Sequence, residues 1–296
     1  MKISIIGTNG LLSTAIGKYC NLKDYYINTY GLEKPTNHEC NNFFCIDFIN
    51  SDIDCLELLQ SDMIVYCVGA GIQSNLKESA DLIYNLNVTT PVKISNYLKS
   101  NNYNGIFVTF GSVFEIGETN LNTPFSEEDI MQSTSTAPSD YVISKRMLSR
   151  FVVSNQAPFK HWHFYIPTIY GKAENPLRLI PYTINAVRNN EDLHFTAGDQ
   201  IRQYIHIDEI PIILDLSFQN NLKSGIYNIA GCNIISVKEL VMMIHSLYGK
   251  SVPKDCFGSA KRTDVGMKYL ALNGAKLKNA IGFEATTELF DALKEY

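Results

Sequence analysis

The chain has 296 residues, enough for a large buried core, and its 45% hydrophobic and 19% charged residues are those of an ordinary soluble globular protein. A formal net charge of −5 excludes a general attraction to nucleic acid or to an anionic membrane surface. The seven cysteines are odd in number and scattered without a Cys-x-x-Cys pair, which speaks against a disulfide framework or a metal site and fits reduced thiols used mostly as small core residues.

The apolar run at residues 3–6 is too short for a signal-peptide core, and nothing approaches a membrane span, so a cytoplasmic location is expected. Short β-type runs then alternate with helix-length segments, which predicts a parallel sheet with crossover helices. Residues 2–6 read as a first strand, 7–10 as a turn and 11–20 as a helix. Residues 25–30 and 43–46 read as the second and third strands, the third ending in Asp47-Phe48. Residues 62–68 form a fourth strand, followed by Gly69-Ala70-Gly71. Ile83, Leu86, Val92, Ile94 and Leu98 keep one helical face over residues 77–100, with a kink or break expected at Pro91. Residues 105–110 read as a fifth strand and 117–138 as a polar loop long enough to lie beside an active site. A helix begins near Ser139, residues 163–166 complete the main sheet, and helices mix with short strands thereafter.

Two local patterns carry chemistry. Gly7-Thr8-Asn9-Gly10-Leu11-Leu12-Ser13 follows a strand and opens a helix. Glycines there permit a tight turn and let the backbone approach a pyrophosphate, whose charge faces the helix N-terminus. Such turns also serve as simple packing devices, and the third small position is Ser13 instead of Gly or Ala. The acidic residue that bonds the adenosine ribose in NAD sites is missing from the tip of the second strand, where Gly31 stands, although Glu33 is near. Lys34 is placed to meet a 2′-phosphate, so the reading leans to NADP with NAD as the alternative.

The second pattern is Tyr141-Val142-Ile143-Ser144-Lys145, a phenol and an ammonium on one helical face. A phenol with a pKa of about 10 exchanges protons poorly at neutral pH, and a nearby cation favours its phenolate. A carbonyl reduced by hydride needs a proton on its oxygen as charge develops, which Tyr141 can supply while Lys145 tunes it.

With both patterns in place, nearly the whole chain resembles the extended short-chain dehydrogenase/reductases, the NAD-dependent epimerase/dehydratase family acting on nucleotide sugars. The likeness includes Cys45-Ile46-Asp47-Phe48, residues 62–70, Asn85-Leu86-Asn87-Val88-Thr89, residues 166–171, residues 198–208 and Gly225-Ile226-Tyr227-Asn228-Ile229-Ala230. The expected fold class is α/β, a Rossmann-type doubly wound parallel sheet with a smaller mixed C-terminal substrate lobe. Residues 1–165 would form the dinucleotide-binding domain and 166–296 mainly the substrate lobe, part of it returning to the first. The resemblance implies cofactor contacts at Gly7, Asn9, Gly10, Leu11, Leu12, Asp47, Phe48, Val68, Gly69, Ala70, Asn87, Tyr141, Lys145, Ile166 and Pro167. It implies substrate contacts at Thr109, Ser112, Thr168, Arg202 and Arg262, the two arginines on the diphosphate of a nucleotide-linked sugar. Arg202 also reads as a surface arginine, and His206 with Asp208 as a helix cap.

One departure concerns the Ser or Thr that completes the family's triad. Aligning Val113-Phe114 with the family's Val-Tyr puts Phe110 at that position, flanked by Thr109 and Ser112, and Ser112 is the expected replacement. The Asp-Glu pair of 4,6-dehydratases is missing from this neighbourhood, where Gly111-Ser112 stand, which argues against dehydration. The compact length and the weak NAD cue lean to reduction of a 4-keto-6-deoxy sugar nucleotide in polysaccharide biosynthesis, with NAD-dependent epimerisation as the alternative. A non-catalytic dinucleotide-binding regulator is the reading of another class. A homodimer through the helices near residues 80–100 and around Tyr141 is also implied.

Overall fold

A computed structural model describes residues 1–51, 56–72, 76–260 and 267–296. In the main sheet the strands are β1 (Lys2–Ile6), β2 (Tyr26–Gly31), β3 (Asn42–Cys45), β4 (Met63–Tyr66), β5 (Ile106–Ser112) and β6 (Lys160–Ile166). The smaller sheet contains β7 (Thr168–Tyr170) and β8 (Ile201–His206); β9 (Gly225–Asn228) returns to the main sheet, and β10 (Asn233–Ser236) and β11 (Tyr269–Leu270) complete the smaller one. The seven-stranded order is β3-β2-β1-β4-β5-β6-β9, and every neighbouring pair is parallel. This is a Rossmann-like doubly wound sheet, with the strand order reversing between β1 and β4, where ligands of such sheets bind.

The side-chain period of two explains why both faces are covered. Along β4, Met63 and Val65 enter one apolar cluster while Ile64 and Tyr66 enter the other. On β5, Ile106, Val108 and Phe110 share the first cluster and Phe107 lies in the second. A third cluster, around Tyr170, Ile184, Leu240 and Leu289, forms the core of the C-terminal lobe.

The helices that matter for the site are α1 (Leu11–Leu22), α2 (Ala80–Tyr84), α3 (Thr90–Ser100), α4 (Glu127–Gln132), α5 (Asp140–Ser154), α6 (Leu179–Asn189) and α7 (Glu209–Gln219). Helix α7 comes from the later half of the chain yet packs on α1. The phenols of Tyr19 and Tyr25 both donate to the buried carboxylate of Asp215, each at 2.8 Å, and tie the two halves together.

Three sequence expectations need correction. The long helix is interrupted not at Pro91 but at Asn85–Thr89, a π-helical turn between α2 and α3. Pro91 lacks an N–H and its ring crowds the carbonyl four residues back, on Asn87, so the turn before it widens. The polar stretch 117–138 contains α4, begun by Ser126, whose hydroxyl and Asp129 cap one another. Strand β5 runs two residues beyond the expected end, to Ser112. Of the described cysteines, all free, only Cys20 and Cys256 are buried.

Candidate active site

A cavity of about 1330 Å³ opens at the carboxyl ends of the strands. Its wall includes Gly10, Leu11 and Leu12 at the start of α1, Val68, Gly69 and Ala70 after β4, and Asn87 from the π turn. Phe110, Gly111 and Ser112 of β5, Tyr141 and Lys145 of α5, and Ile166, Pro167 and Thr168 complete the inner part. Leu177, Arg178, Tyr182, His194 and Phe195 line the outer part. The volume exceeds the roughly 300–1,000 Å³ that holds one drug-sized ligand.

The glycine turn is built for close approach. Gly7 has φ +103°, a left-handed value that disfavours side chains, and a Cβ there would come within 3.0 Å of Val68 Cγ2. Ser13 replaces the expected small apolar residue because its hydroxyl works inside the turn, accepting from Gly10 N–H at 3.1 Å and donating to Thr8 O at 3.0 Å. At the tip of β2 a Cβ on Gly31 would lie 2.8 Å from Thr8 Cγ2, so the tip carries no side chain and no ribose-binding acid. Across the cavity, Asn87 clamps Ala70 through both its N–H and its C=O and donates to Ser144 Oγ at 3.0 Å. A small-residue cradle beside a helix N-terminus fits a dinucleotide.

Helix α5 starts at Ser139, whose hydroxyl accepts from Val142 N–H at 3.4 Å. Tyr141 therefore sits in the first turn and Lys145 one turn on. Lys145 is buried, and its Nζ donates to Phe110 O at 2.9 Å, 5.9 Å from the Tyr141 ring centroid. Ser112 Oγ accepts from Phe114 N–H at 3.2 Å, which leaves its proton free to donate, and it shares the cavity wall with the Tyr141 phenol. Burial pushes Tyr141 up to about 12, against the lowering influence of the Ser112 hydroxyl; Glu115 raises it further and Arg178 lowers it. Burial also lowers Lys145, an effect that Glu115 opposes.

Beneath these groups lies a buried polar chain that sequence reasoning missed. Glu115 accepts from Ser112 N–H at 2.8 Å and from Ser149 O–H at 2.6 Å. Ser149 Oγ lies 3.0 Å from His163 Nε2, and Thr109 Oγ1 bridges His163 Nδ1 at 2.8 Å and His161 Nε2 at 3.0 Å. Burial raises Glu115 and lowers both histidines.

The structure does not bring every expected residue to the cavity. Thr109 is fully buried with its hydroxyl taken by the two histidines, and it does not line the cavity. Asn9 accepts from Thr36 N–H and Thr36 Oγ1 and pins the segment after β2, away from the wall. Asp47 accepts from Ile49 and Asn50 in its own turn, and Phe48 is buried in the core; neither lines the cavity. Arg202 donates to Ile201 O and Lys268 O and is not part of the wall. Asp208 stands at the N-cap position of α7 but its side chain makes no capping hydrogen bond, and its carboxylate lies 3.7 Å from His206 Nδ1. Arg262 and Cys55 lie outside the described residues.

A different arginine occupies the cavity. Arg178, directly before α6, lines it, and no side chain caps that helix. The available signal was an arginine, instead of Ser, Thr, Asp or Asn, immediately before an amphipathic run. Among the described residues, no Asp or Glu lines the cavity.

Residues 3–230 match the model of the NAD dependent epimerase/dehydratase family. The chain belongs to this family. Two curated relatives are CDP-abequose synthase from Salmonella muenchen, 27% identical over 92 residues, and ADP-L-glycero-D-manno-heptose-6-epimerase from Fusobacterium nucleatum, 22% identical over 215 residues. Those matches span 30% and 66% of this chain, and 31% and 64% of the relatives' own lengths. Among solved structures, DesIV, a dTDP-glucose 4,6-dehydratase from Streptomyces venezuelae with NAD and TYD bound, superposes with a TM-score of 0.85 at 15% identity. The superposition covers 100% of this chain and 95% of that one. The fold is thus that of the extended short-chain dehydrogenase/reductases. Among the described residues of this family member, no helix is long and apolar enough to cross a membrane, and no His, Cys, Asp and Glu cluster could hold a metal ion.

Proposed function

We propose that the protein reduces the keto group of a nucleotide-linked 4-keto-6-deoxy sugar, with NADPH preferred over NADH. The observation that carries this reading is the cavity wall: it combines a phenol, a hydroxyl and an ammonium and, among described residues, no carboxylate. Dehydration of a sugar needs a further acid and base, and the residues after Ser112 are the apolar Val113 and Phe114. A dinucleotide, when bound, supplies or accepts hydride.

The chain's own residues handle the proton. Tyr141, protonated at neutral pH, donates to the carbonyl oxygen as negative charge develops there. Ser112, with its lone pair engaged by Phe114 N–H, donates its own hydrogen toward the same oxygen. Lys145, fixed by Phe110 O, favours the phenolate left behind. Gly10, Leu11, Leu12, Val68, Gly69, Ala70, Asn87, Ile166 and Pro167 would hold the dinucleotide, and Thr168 would contact the sugar.

For the sugar nucleotide's diphosphate, Arg178 and the uncapped N-terminus of α6 supply a guanidinium and free backbone N–H groups at one place. They take the role first expected of Arg202. NADPH is favoured because the tip of β2 lacks a carboxylate and Lys34 follows it.

NAD-dependent epimerisation is the second reading, supported by the epimerase among the relatives and by the NAD held in DesIV. Absorbance and mass spectrometry of the nucleotide extracted from purified protein separate the two. Protein free of nucleotide that oxidises NADPH with a 4-keto-6-deoxy sugar nucleotide supports the reductase. Tightly retained NAD, with no NADPH consumed, replaces it by the epimerase; NADPH that binds and is never consumed indicates a regulator.

A further inference from the structure

Arg178 is held from behind by an arrangement outside the catalytic groups. Its Nη1 lies 3.2 Å from Glu174 Oε2, and its Nη2 donates to Ile169 O at 2.9 Å. The Glu174 side chain is only 2% exposed, whereas that of Arg178 is 26% exposed and borders the cavity. The other carboxylate oxygen of Glu174 accepts from the Tyr296 phenol at 2.5 Å, and that phenol accepts from Gly171 N–H at 2.8 Å. The backbone oxygen of Tyr296 is in turn held by Arg188 of α6. A residue more than a hundred positions away thus fixes the carboxylate that fixes the guanidinium.

The chemistry of this chain is directional. A guanidinium has five N–H groups in a rigid plane. Two of its nitrogens are engaged by Glu174 and Ile169, which orients the plane of a side chain that lines the cavity and leaves further N–H groups for a ligand. A buried carboxylate would be costly alone, and both of its oxygens are satisfied here.

We propose that Glu174 and Tyr296 are positioning residues that aim Arg178 at the diphosphate of a nucleotide ligand. The inference rests on the nucleotide-sugar reading, and it adds that affinity for the phosphates is set by two residues that never touch them. Glu174→Gln removes the charge facing the guanidinium and replaces one of two acceptor oxygens by N–H₂, so one of the two donors, Arg178 or the Tyr296 phenol, is left facing a donor. Tyr296→Phe removes only the phenol's hydrogen bonds.

The test is isothermal titration of wild type, E174Q and Y296F with UDP, dTDP, uridine and NADPH, alongside thermal melting. E174Q is expected to weaken UDP and dTDP about tenfold and Y296F about threefold, with uridine and NADPH within about twofold of wild type. Wild-type UDP and dTDP affinity in E174Q overturns the proposal. A parallel loss of uridine and NADPH binding overturns it too, since that marks a merely structural role. Failure of wild type itself to bind any nucleoside diphosphate overturns the nucleotide-sugar reading, and this inference with it.

Discussion

Asn87 and Ala70 exchange two hydrogen bonds: Asn87 Nδ2 donates to Ala70 O at 2.9 Å, and Ala70 N–H donates to Asn87 Oδ1 at 3.0 Å. The side chain amide thereby acts as one more peptide against the loop after β4, and its third bond, to Ser144, ties that loop to α5. The clamp is buried, so no water can replace it. Asn87→Ala is expected to destabilise the protein by about 3 kcal/mol, from two orphaned backbone groups, and to weaken NADPH binding. Chemical denaturation and fluorescence titration of NADPH check both.

Tyr141→Phe removes the proposed proton donor but little of the cavity wall. We expect kcat for keto-sugar reduction to fall roughly a hundred- to ten-thousandfold with NADPH affinity unchanged. Steady-state kinetics that retain most of kcat would assign the proton to another group.

Ser112 and Thr109 lie on the same strand, yet only Ser112 reaches the cavity. Ser112→Ala should lower kcat by about ten- to a hundredfold with little change in folding. Thr109→Val should do the reverse, leaving kcat near wild type and costing about 2 kcal/mol because both histidines lose a partner. Kinetics and denaturation of the two variants in parallel distinguish catalytic from structural hydroxyls.

His161 and His163 are buried and held well below the ordinary value of 6.5 by burial, His161 at about 3. The unfolded chain takes a proton at each near pH 6.5 while the folded chain keeps both neutral. Stability therefore falls as pH drops below about 6.5, by roughly 1.4 kcal/mol per pH unit for each histidine. Glu115 works in the opposite sense, because burial raises it above 4.5 and the folded state gains its proton first. Burial also lowers His38 and raises Glu174, so three histidines stand against two carboxyls, and the denaturation midpoint should still decline from about pH 6.5 to about 5. His161→Phe should remove about one proton's worth of that slope.

Cofactor choice is expected to turn on Lys34. Lys34→Glu should weaken NADPH about tenfold and leave NADH nearly unchanged, by loss of one charge pair at the 2′-phosphate. An unaltered NADPH-to-NADH ratio in fluorescence titrations would place recognition of that phosphate elsewhere.

Much of this protein was legible in one dimension because the physics involved is local. Strand alternation, the glycine turn at residue 7 and the four-residue spacing of Tyr141 and Lys145 are set by backbone geometry within a few residues, and each stands where the sequence placed it. What the folded chain alone decided depends on side chains distant in sequence. Thr109 faces histidines on a neighbouring strand and Ser112 faces Tyr141, because β5 continues two residues past its apolar run and the side-chain alternation carries on with it. Arg178 lines the cavity, paired with a buried carboxylate that is bonded to residue 296, whereas Arg202 donates to the carbonyls of Ile201 and Lys268. Such choices rest on burial and on pairing across the sheet, and a sequence carries no record of them until the strands are laid side by side.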